Sequence, residues 1–370
     1  MSCHQRILAF QAKETKESGV CAAGWWLLLI SCLTINACDR SPIDAITSPN
    51  RPMTASRQIS DLTVESVLHY TSNDFSEGLV FSKQGDLYVG FGFTGDIVRV
   101  SRTGEVALFS NIDPSDNSIT LGLAVDPEGV VYAAVWGFDE NTNGVWKVGQ
   151  DGHASRFAAM PLGTIPNFIV IENNGDLLIT DTSEPGGVWR AKSSGGNASL
   201  WVQTDLLAPS PGGFGANGMA QFGNQIFVLN YDRGRIVHVP ILPNGDAGTP
   251  SLFLEDPRLV NSDGITFDVR GNMYIGRTFP STLLRVSPEG LIETVVDFPE
   301  TLPTATNVAF GHGKERKTAF LTIGDIGGAA NVVKVDIGIP GLPVPAEPQD
   351  RHREPESEDL RTARLHDSSH

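Results

Sequence analysis

A short pattern returns six times along this chain: an apolar strand, a Gly-bearing turn, then a second apolar strand often holding Tyr or Phe. Its copies open at Leu79, Leu123, Ile169, Met219, Ile265 and Val308, 43 to 50 residues apart. The first reads Leu-Val-Phe-Ser-Lys-Gln-Gly-Asp-Leu-Tyr-Val (79–89) and the fifth Ile-Thr-Phe-Asp-Val-Arg-Gly-Asn-Met-Tyr-Ile (265–275), while the sixth, Val-Ala-Phe-Gly-His (308–312) followed by Thr-Ala-Phe-Leu-Thr-Ile (318–323), is degenerate. Each copy continues into a third strand, such as 97–100 or 283–286, and five go on to a fourth. Four antiparallel strands per repeat make a propeller blade; a β-sandwich would explain short strands but not the period. The sixth repeat lacks a fourth strand, and Thr63–Thr71, ahead of the first repeat, supplies one. The spacing therefore predicts an all-β, six-bladed β-propeller over 61–340, closed by an N-terminal strand in the last blade so that no sheet edge is left open at the seam. Abundant glycine, 39 residues, fits the many tight turns this requires.

Antiparallel strands alternate direction, which sorts the loops by face. Turns between first and second strands, and between third and fourth, fall on one face, the bottom. The lead-in to each first strand and the second-to-third loops fall on the top. First strands are innermost and line the central channel, so the residue two before each repeat start stands at the top mouth. These six are Glu77, Leu121, Asn167, Asn217, Asp263 and Thr306. Two carboxylates and two amide oxygens are a hard-oxygen set of the kind that suits Ca²⁺, with room left in its shell for water and substrate. Mg²⁺ or Mn²⁺ also take oxygen, and Zn²⁺ stays open although it more often recruits His or Cys. A plainer reading stands beside this one: Asn217-Gly218 and Asp263-Gly264 are also ordinary turn dipeptides. The top loops further carry Phe91, Phe93, Trp136, Asp181, Tyr231, Asp232 and Arg277. Aromatic rings there either wall a substrate or pack between blades, and Asp181 and Arg277 either meet a polar substrate or brace neighbouring loops.

The two ends have a different composition. Arg6, Lys13 and Lys16 precede the apolar stretch 20–37, and the polar Asp39-Arg40-Ser41-Pro42 follows, which reads as a secretory signal. Ile35-Asn36-Ala37-Cys38 resembles the lipobox of bacterial lipoproteins, with Leu29-Ile30-Ser31-Cys32 as a competing match and an uncleaved membrane anchor as the alternative. The expectation is an exported protein of the bacterial cell envelope, with a signal over 1–38, lipidation at Cys38 as its one membrane contact, a tether over 39–60 and a polar tail over 341–370 read as disordered. All four Cys lie in the signal segment, so the body carries no disulfide, Cys-ligated zinc or Cys nucleophile. A net charge of −16 argues against a nucleic-acid partner.

The segments Ser76-Glu77-Gly78, Pro166-Asn167-Phe168, Ala216-Asn217-Gly218-Met219 and Ser262-Asp263-Gly264-Ile265 resemble the senescence marker protein (regucalcin)/gluconolactonase family, and more broadly the calcium-dependent six-bladed propellers that include diisopropylfluorophosphatase and serum paraoxonase. The resemblance covers about residues 60–340. It implies that Glu77, Asn217 and Asp263 bind the metal, that Asn167 binds metal or substrate, and that the reaction is hydrolysis of a small-molecule lactone or related ester. A cation that polarises the carbonyl and stabilises the oxyanion as water attacks makes that chemistry coherent. The eight His fall in tails, strands or bottom turns, so Asp263 is the candidate general base as well as a ligand, with a pure ligand role as the other possibility. Sugar-lactone members carry an Arg where this chain has Ile165, so the implication does not extend to an aldonolactone. The competing function is a non-catalytic propeller of the cell envelope that binds a ligand or protein around a structural cation.

Overall fold

Apolar runs buried on both faces build the inner strands, and one turn design joins the first two strands of most blades. In blades 1, 2, 3 and 5 that turn closes on a glycine of positive φ: Gly85 (87°), Gly129 (87°), Gly175 (82°) and Gly271 (81°). An L side chain rarely adopts that backbone state, which is why the repeat keeps a glycine there. The computed structural model describes residues 62–70, 74–112, 118–324 and 331–342. The signal segment with Cys32 and Cys38, the 39–60 tether and 343–370 lie outside the described residues.

Six antiparallel sheets follow one another in chain order. Their innermost strands are Ser76–Phe81, Ser118–Val125, Pro166–Ile171, Ala216–Phe222, Ser262–Phe267 and Ala305–Phe310. Blade 6 is completed by Val64–Leu68, which pairs with Val332–Asp336 from Val64↔Val335 to Leu68↔Val332. The ring is thus closed by the N-terminal strand, as the missing fourth strand of the sixth repeat predicts. Asn331 adds a clasp at the same seam: its backbone N–H donates to the Leu68 carbonyl at 2.8 Å, and its side-chain oxygen accepts from the Tyr70 N–H.

The apolar core is divided among the six contacts between blades. Blades 1 and 2 share Val80, Tyr88, Leu123 and Val131, blades 4 and 5 share Phe227, Ile236, Ile265 and Phe267, and blades 6 and 1 share Phe81, Val89, Phe320 and Val332. Each blade buries one face against the blade before it and the other against the blade after it. Its strands are therefore apolar on both faces, as in the fully buried innermost strand 76–81. Two joints are not visible in the repeat. Gly196–Asn197 pairs in parallel with Ala158–Ala159, which gives blade 2 a fifth strand borrowed from the turn of blade 3. Beneath the ring, Gly341 bridges to Asp268 and the Leu342 N–H donates to the Phe267 carbonyl at 3.0 Å, binding the end of the described chain to blade 5.

Candidate metal centre

The six registered residues lie inside the innermost strands rather than ahead of them, five as the second residue and Leu121 as the fourth. What sets them apart is a bulge repeated in every blade. Pairing runs from Ser76↔Phe91 to Leu79↔Val89 in blade 1, from Ala216↔Asn230 to Met219↔Val228 in blade 4, and from Ser262↔Arg277 to Ile265↔Ile275 in blade 5. Two residues on the inner strand therefore face one on its neighbour; blades 2 and 3 do the same, and blade 6 carries one extra residue between Ala305 and Asn307. The residues displaced from the ladder are Glu77-Gly78, Leu121-Gly122, Asn167-Phe168, Asn217-Gly218, Asp263-Gly264 and Thr306. A bulge bends the strand and re-aims a side chain. All six side chains so re-aimed are buried, at 5–8 % exposure.

Glycine then brings the bulges together. A Cβ on Gly218 would lie 1.9 Å from the Asp263 carbonyl oxygen, one on Gly122 2.4 Å from that of Asn167, and one on Gly78 2.6 Å from that of Leu121. Each bulge backbone thus nests against the bulge of the following blade at a distance no other residue permits. Between blades 6 and 1 the contact is made by hydroxyls: Thr306 Oγ1 donates to the Ser76 carbonyl and Thr322 Oγ1 to the Glu77 carbonyl, both at 3.1 Å. Blade 3 departs from the pattern, with Phe168 where the others have glycine or Asn307.

This convergence leaves the polar groups short of partners. Burial pushes the Glu77 carboxyl up to about 7, against a smaller opposing pull from a Thr306 hydrogen bond. Asp263 is raised well above the usual carboxylate range, first by burial and then by the negative charge of Glu77, with a hydrogen bond from Asn217 opposing both. The amide that serves Asp263 leaves its own oxygen, Asn217 Oδ1, buried without a hydrogen-bond partner. An unmatched acceptor beside two carboxyls that resist ionisation is the donor set a divalent cation would satisfy, and the residues present fit one. Among the described residues no three His, Cys, Asp or Glu converge, so a cation here would draw on mixed carboxylate and amide oxygen.

Most other polar residues singled out in the top loops brace the scaffold. Asp181 accepts from Ile165 N at 2.9 Å, Ser183 Oγ at 2.6 Å and Trp189 Nε1 at 3.2 Å, and Asp232 accepts from Phe214 N at 2.9 Å. Arg277 Nε is spent on the Val260 carbonyl at 2.8 Å, and Arg233 on those of Ala208 and Pro209. Phe91 is fully buried with its ring centroid 4.8 Å from that of Tyr70, and Phe93 stands edge-on to Phe75 at 4.9 Å. Trp136 meets Phe138 edge-on at 5.4 Å. Tyr231 differs from these, because its phenol is held above its ordinary pKa by burial and, more weakly, by the charges of Asp263 and Glu77. Sequence reasoning placed Thr306 in the ring without giving its hydroxyl a role and passed over Thr322; the two hydroxyls close the ring at blade 6.

No family model and no curated protein matches the chain. Solved structures do. A luciferin-regenerating enzyme superposes with a TM-score of 0.59 at 15 % identity, covering 76 % of this chain and 98 % of its own. A gluconolactonase from Xanthomonas campestris gives 0.58 at 17 % identity, with 76 % and 91 % covered. Regucalcin from Agrobacterium tumefaciens, described as a calcium-binding protein, gives 0.57 at 13 % identity, with 76 % and 95 % covered. At such identities the likeness is one of fold: the chain shares the six-bladed propeller of gluconolactonase- and regucalcin-like structures.

Proposed function

We propose that the protein is a metal-dependent hydrolase of a neutral lactone or related ester, working at the top of the channel. The observation that carries this reading is the pair of buried carboxyls, Glu77 and Asp263, with the unpartnered amide oxygen of Asn217 between bulges that only glycine allows to touch. Glu77, Asn167, Asn217 and Asp263 would hold the cation. Ca²⁺ is the first choice for an oxygen set, supported by a calcium-binding protein among the structures of like fold, with Mg²⁺, Mn²⁺ and Zn²⁺ as the others to test. When bound, the cation supplies positive charge that polarises a carbonyl oxygen and offsets the negative charge that grows there as water adds. Asp263 takes a proton from that water onto a carboxylate oxygen, a role suited to a carboxyl whose proton affinity is raised. Asn167 fixes the remaining oxygen of the substrate or joins the ligand set. Leu121 and Ile165 give the mouth an apolar side that sheds water. Arg233 Nε and Nη2 and Arg277 Nε are tied to loop carbonyls, which leaves less of their donor capacity for a substrate anion and favours a neutral substrate. Export, with lipidation at Cys38, places this activity at the bacterial cell envelope.

The test is direct. The purified full-length protein is assayed with Ca²⁺, Mg²⁺, Mn²⁺ or Zn²⁺ against lactones, arylesters and phosphotriesters, beside Asp263→Asn. Turnover in the wild type that is lost in a folded Asp263→Asn supports the proposal. If no substrate turns over with any cation, the hydrolase reading fails and the ligand-binding propeller takes its place.

A further inference from the structure

Tyr231 is built into the rim of the site by two blades. It follows Asn230, whose strand partner Ala216 precedes Asn217. Its phenol oxygen lies 2.7 Å from Thr278 Oγ1 on blade 5, and Thr278 follows Arg277, the strand partner of Ser262, which precedes Asp263. One side chain thus spans the rim over the two strands that carry Asn217 and Asp263. Its backbone is pinned on both sides: the Tyr231 N–H donates to the Gly215 carbonyl at 3.0 Å, and the Tyr231 carbonyl accepts from the Asn261 N–H at 2.8 Å. The Phe214 ring stands perpendicular to the phenol ring, 6.0 Å between centroids, and limits its swing.

The hydroxyl of Thr278 has two acceptors within reach, the phenol oxygen at 2.7 Å and the Asn261 carbonyl at 3.3 Å. The 2.7 Å contact holds one hydrogen that either oxygen can supply, and it is the threonine hydrogen in the arrangement where Thr278 turns from the Asn261 carbonyl to the phenol. With that hydrogen on the phenol oxygen, the phenol's own proton is available to a group in the mouth. From this geometry we infer that Tyr231 touches the substrate and donates a hydrogen bond to the oxygen that leaves the acyl carbon, with Thr278 as its positioning residue. The inference rests on the hydrolase reading above.

The chemistry needs such a donor. Hydrolysis joins the oxygen of water to the acyl carbon and breaks the bond from that carbon to the leaving oxygen, which departs with the bonding pair and takes up a proton. Asp263 carries that proton from the water to the leaving oxygen. Tyr231 keeps its own proton throughout and stabilises the charge on the departing oxygen by hydrogen bonding to it. The benefit is greatest where the leaving oxygen is most basic, as in an alkyl ester or an aliphatic lactone, and smallest for a nitrophenyl ester.

The experiment compares wild type with Tyr231→Phe in saturating Ca²⁺ on esters of one acyl group whose leaving groups run from nitrophenol to alkyl alcohol. The expected result is a fall in kcat/KM of about 10- to 100-fold for the alkyl esters and less than about 3-fold for the nitrophenyl ester. Ca²⁺ affinity by calorimetry and the melting temperature should stay at their wild-type values, because the phenol holds neither the cation nor the core. Thr278→Val should show the same leaving-group dependence at smaller size, and Thr278→Ser should restore the wild-type pattern. These two variants carry the test should Tyr231→Phe fold poorly. A loss equal across all leaving groups, or no loss, overturns the role while the hydrolase reading stands. Absence of any wild-type turnover removes that reading and this role together.

Discussion

At the top of the innermost strand of blade 5 stands Asp263, and just past its lower end stands Asp268. Both are buried, at 7 % and 0 % exposure. Asp268 lies in a tight turn that serves it with the N–H groups of Arg270 and Asn272 at 2.8 and 3.0 Å, the Asn272 side-chain amide at 2.7 Å and the Tyr274 hydroxyl at 3.4 Å. Asp263 has the Asn217 amide and otherwise faces another carboxyl. Asp74, near the top but off the ring, is served as fully as Asp268, by the N–H groups of Phe75, Phe93 and Thr94 and by the Thr94 hydroxyl. Burial and sequence position therefore do not separate a structural aspartate from a candidate ligand. Unmet acceptor capacity does, since a carboxylate removed from water needs compensating donors or a cation.

Substitution should divide the two aspartates cleanly. Asp263→Asn should cut kcat by about 1,000-fold, the size expected for a lost general base, while leaving the melting temperature in chelator unchanged or raised. An active Asp263→Asn would remove it from the chemistry. The metal-free protein should also show the cost of its crowded carboxyls. Glu77 is held at about 7 in the folded chain against an ordinary 4.5, so between those pH values the folded state keeps a proton that the unfolded chain has released. The Glu77 contribution to stability in chelator is then fully present below about pH 4.5 and is lost, about 3 kcal/mol, as pH rises to about 7, with Asp263 adding to the decline in the same direction. Urea titrations across that range with chelator, with excess Ca²⁺ and with Glu77→Gln check this: the slope should vanish in the second case and shrink in the third, where the raised Asp263 carboxyl still titrates, and a flat profile in the first would sink the idea. Smallest in energy, Asp268→Ala should lower stability by about 2 kcal/mol by leaving turn donors unserved, with cation affinity at the wild-type value. If affinity fell as well, the contrast between the two ends of the strand would be lost.

The propeller is legible in the chain because its repeat is local. A hairpin turn such as Ser82 to Asp86 needs its glycine regardless of neighbours, and an apolar run stands on either side in every copy. The ring positions are legible for a subtler reason: each repeat begins where pairing resumes after the bulge, at Leu79 or Ile265, so counting back from it lands on the displaced residue. What the count cannot deliver is the bulge itself, which moves Glu77 and Asp263 from the lead of the strand into its body. It also cannot tell Asp263 from Asp268, since both are aspartates at the ends of one apolar run. That difference depends on the Asn217 amide and the Glu77 charge, both on other blades. The parallel pairing of Gly196 and Asn197 with blade 2 is equally silent, being a contact between two polar turn residues and a neighbouring sheet.

The closing strand also decides which way the molecule faces. Val64 pairs with Val335 at the lower end of blade 6 and Leu68 with Val332 at the upper end, so the chain rises through this strand from the bottom face. The last described residues, Gly341 and Leu342, run under blade 5 on that same side. Both leads out of the propeller therefore depart from the floor, opposite Glu77 and Asp263. A support, a fusion partner or a lipid bilayer gripping either lead would hold the protein like a cup set on its base, with the opening turned outward to whatever diffuses past.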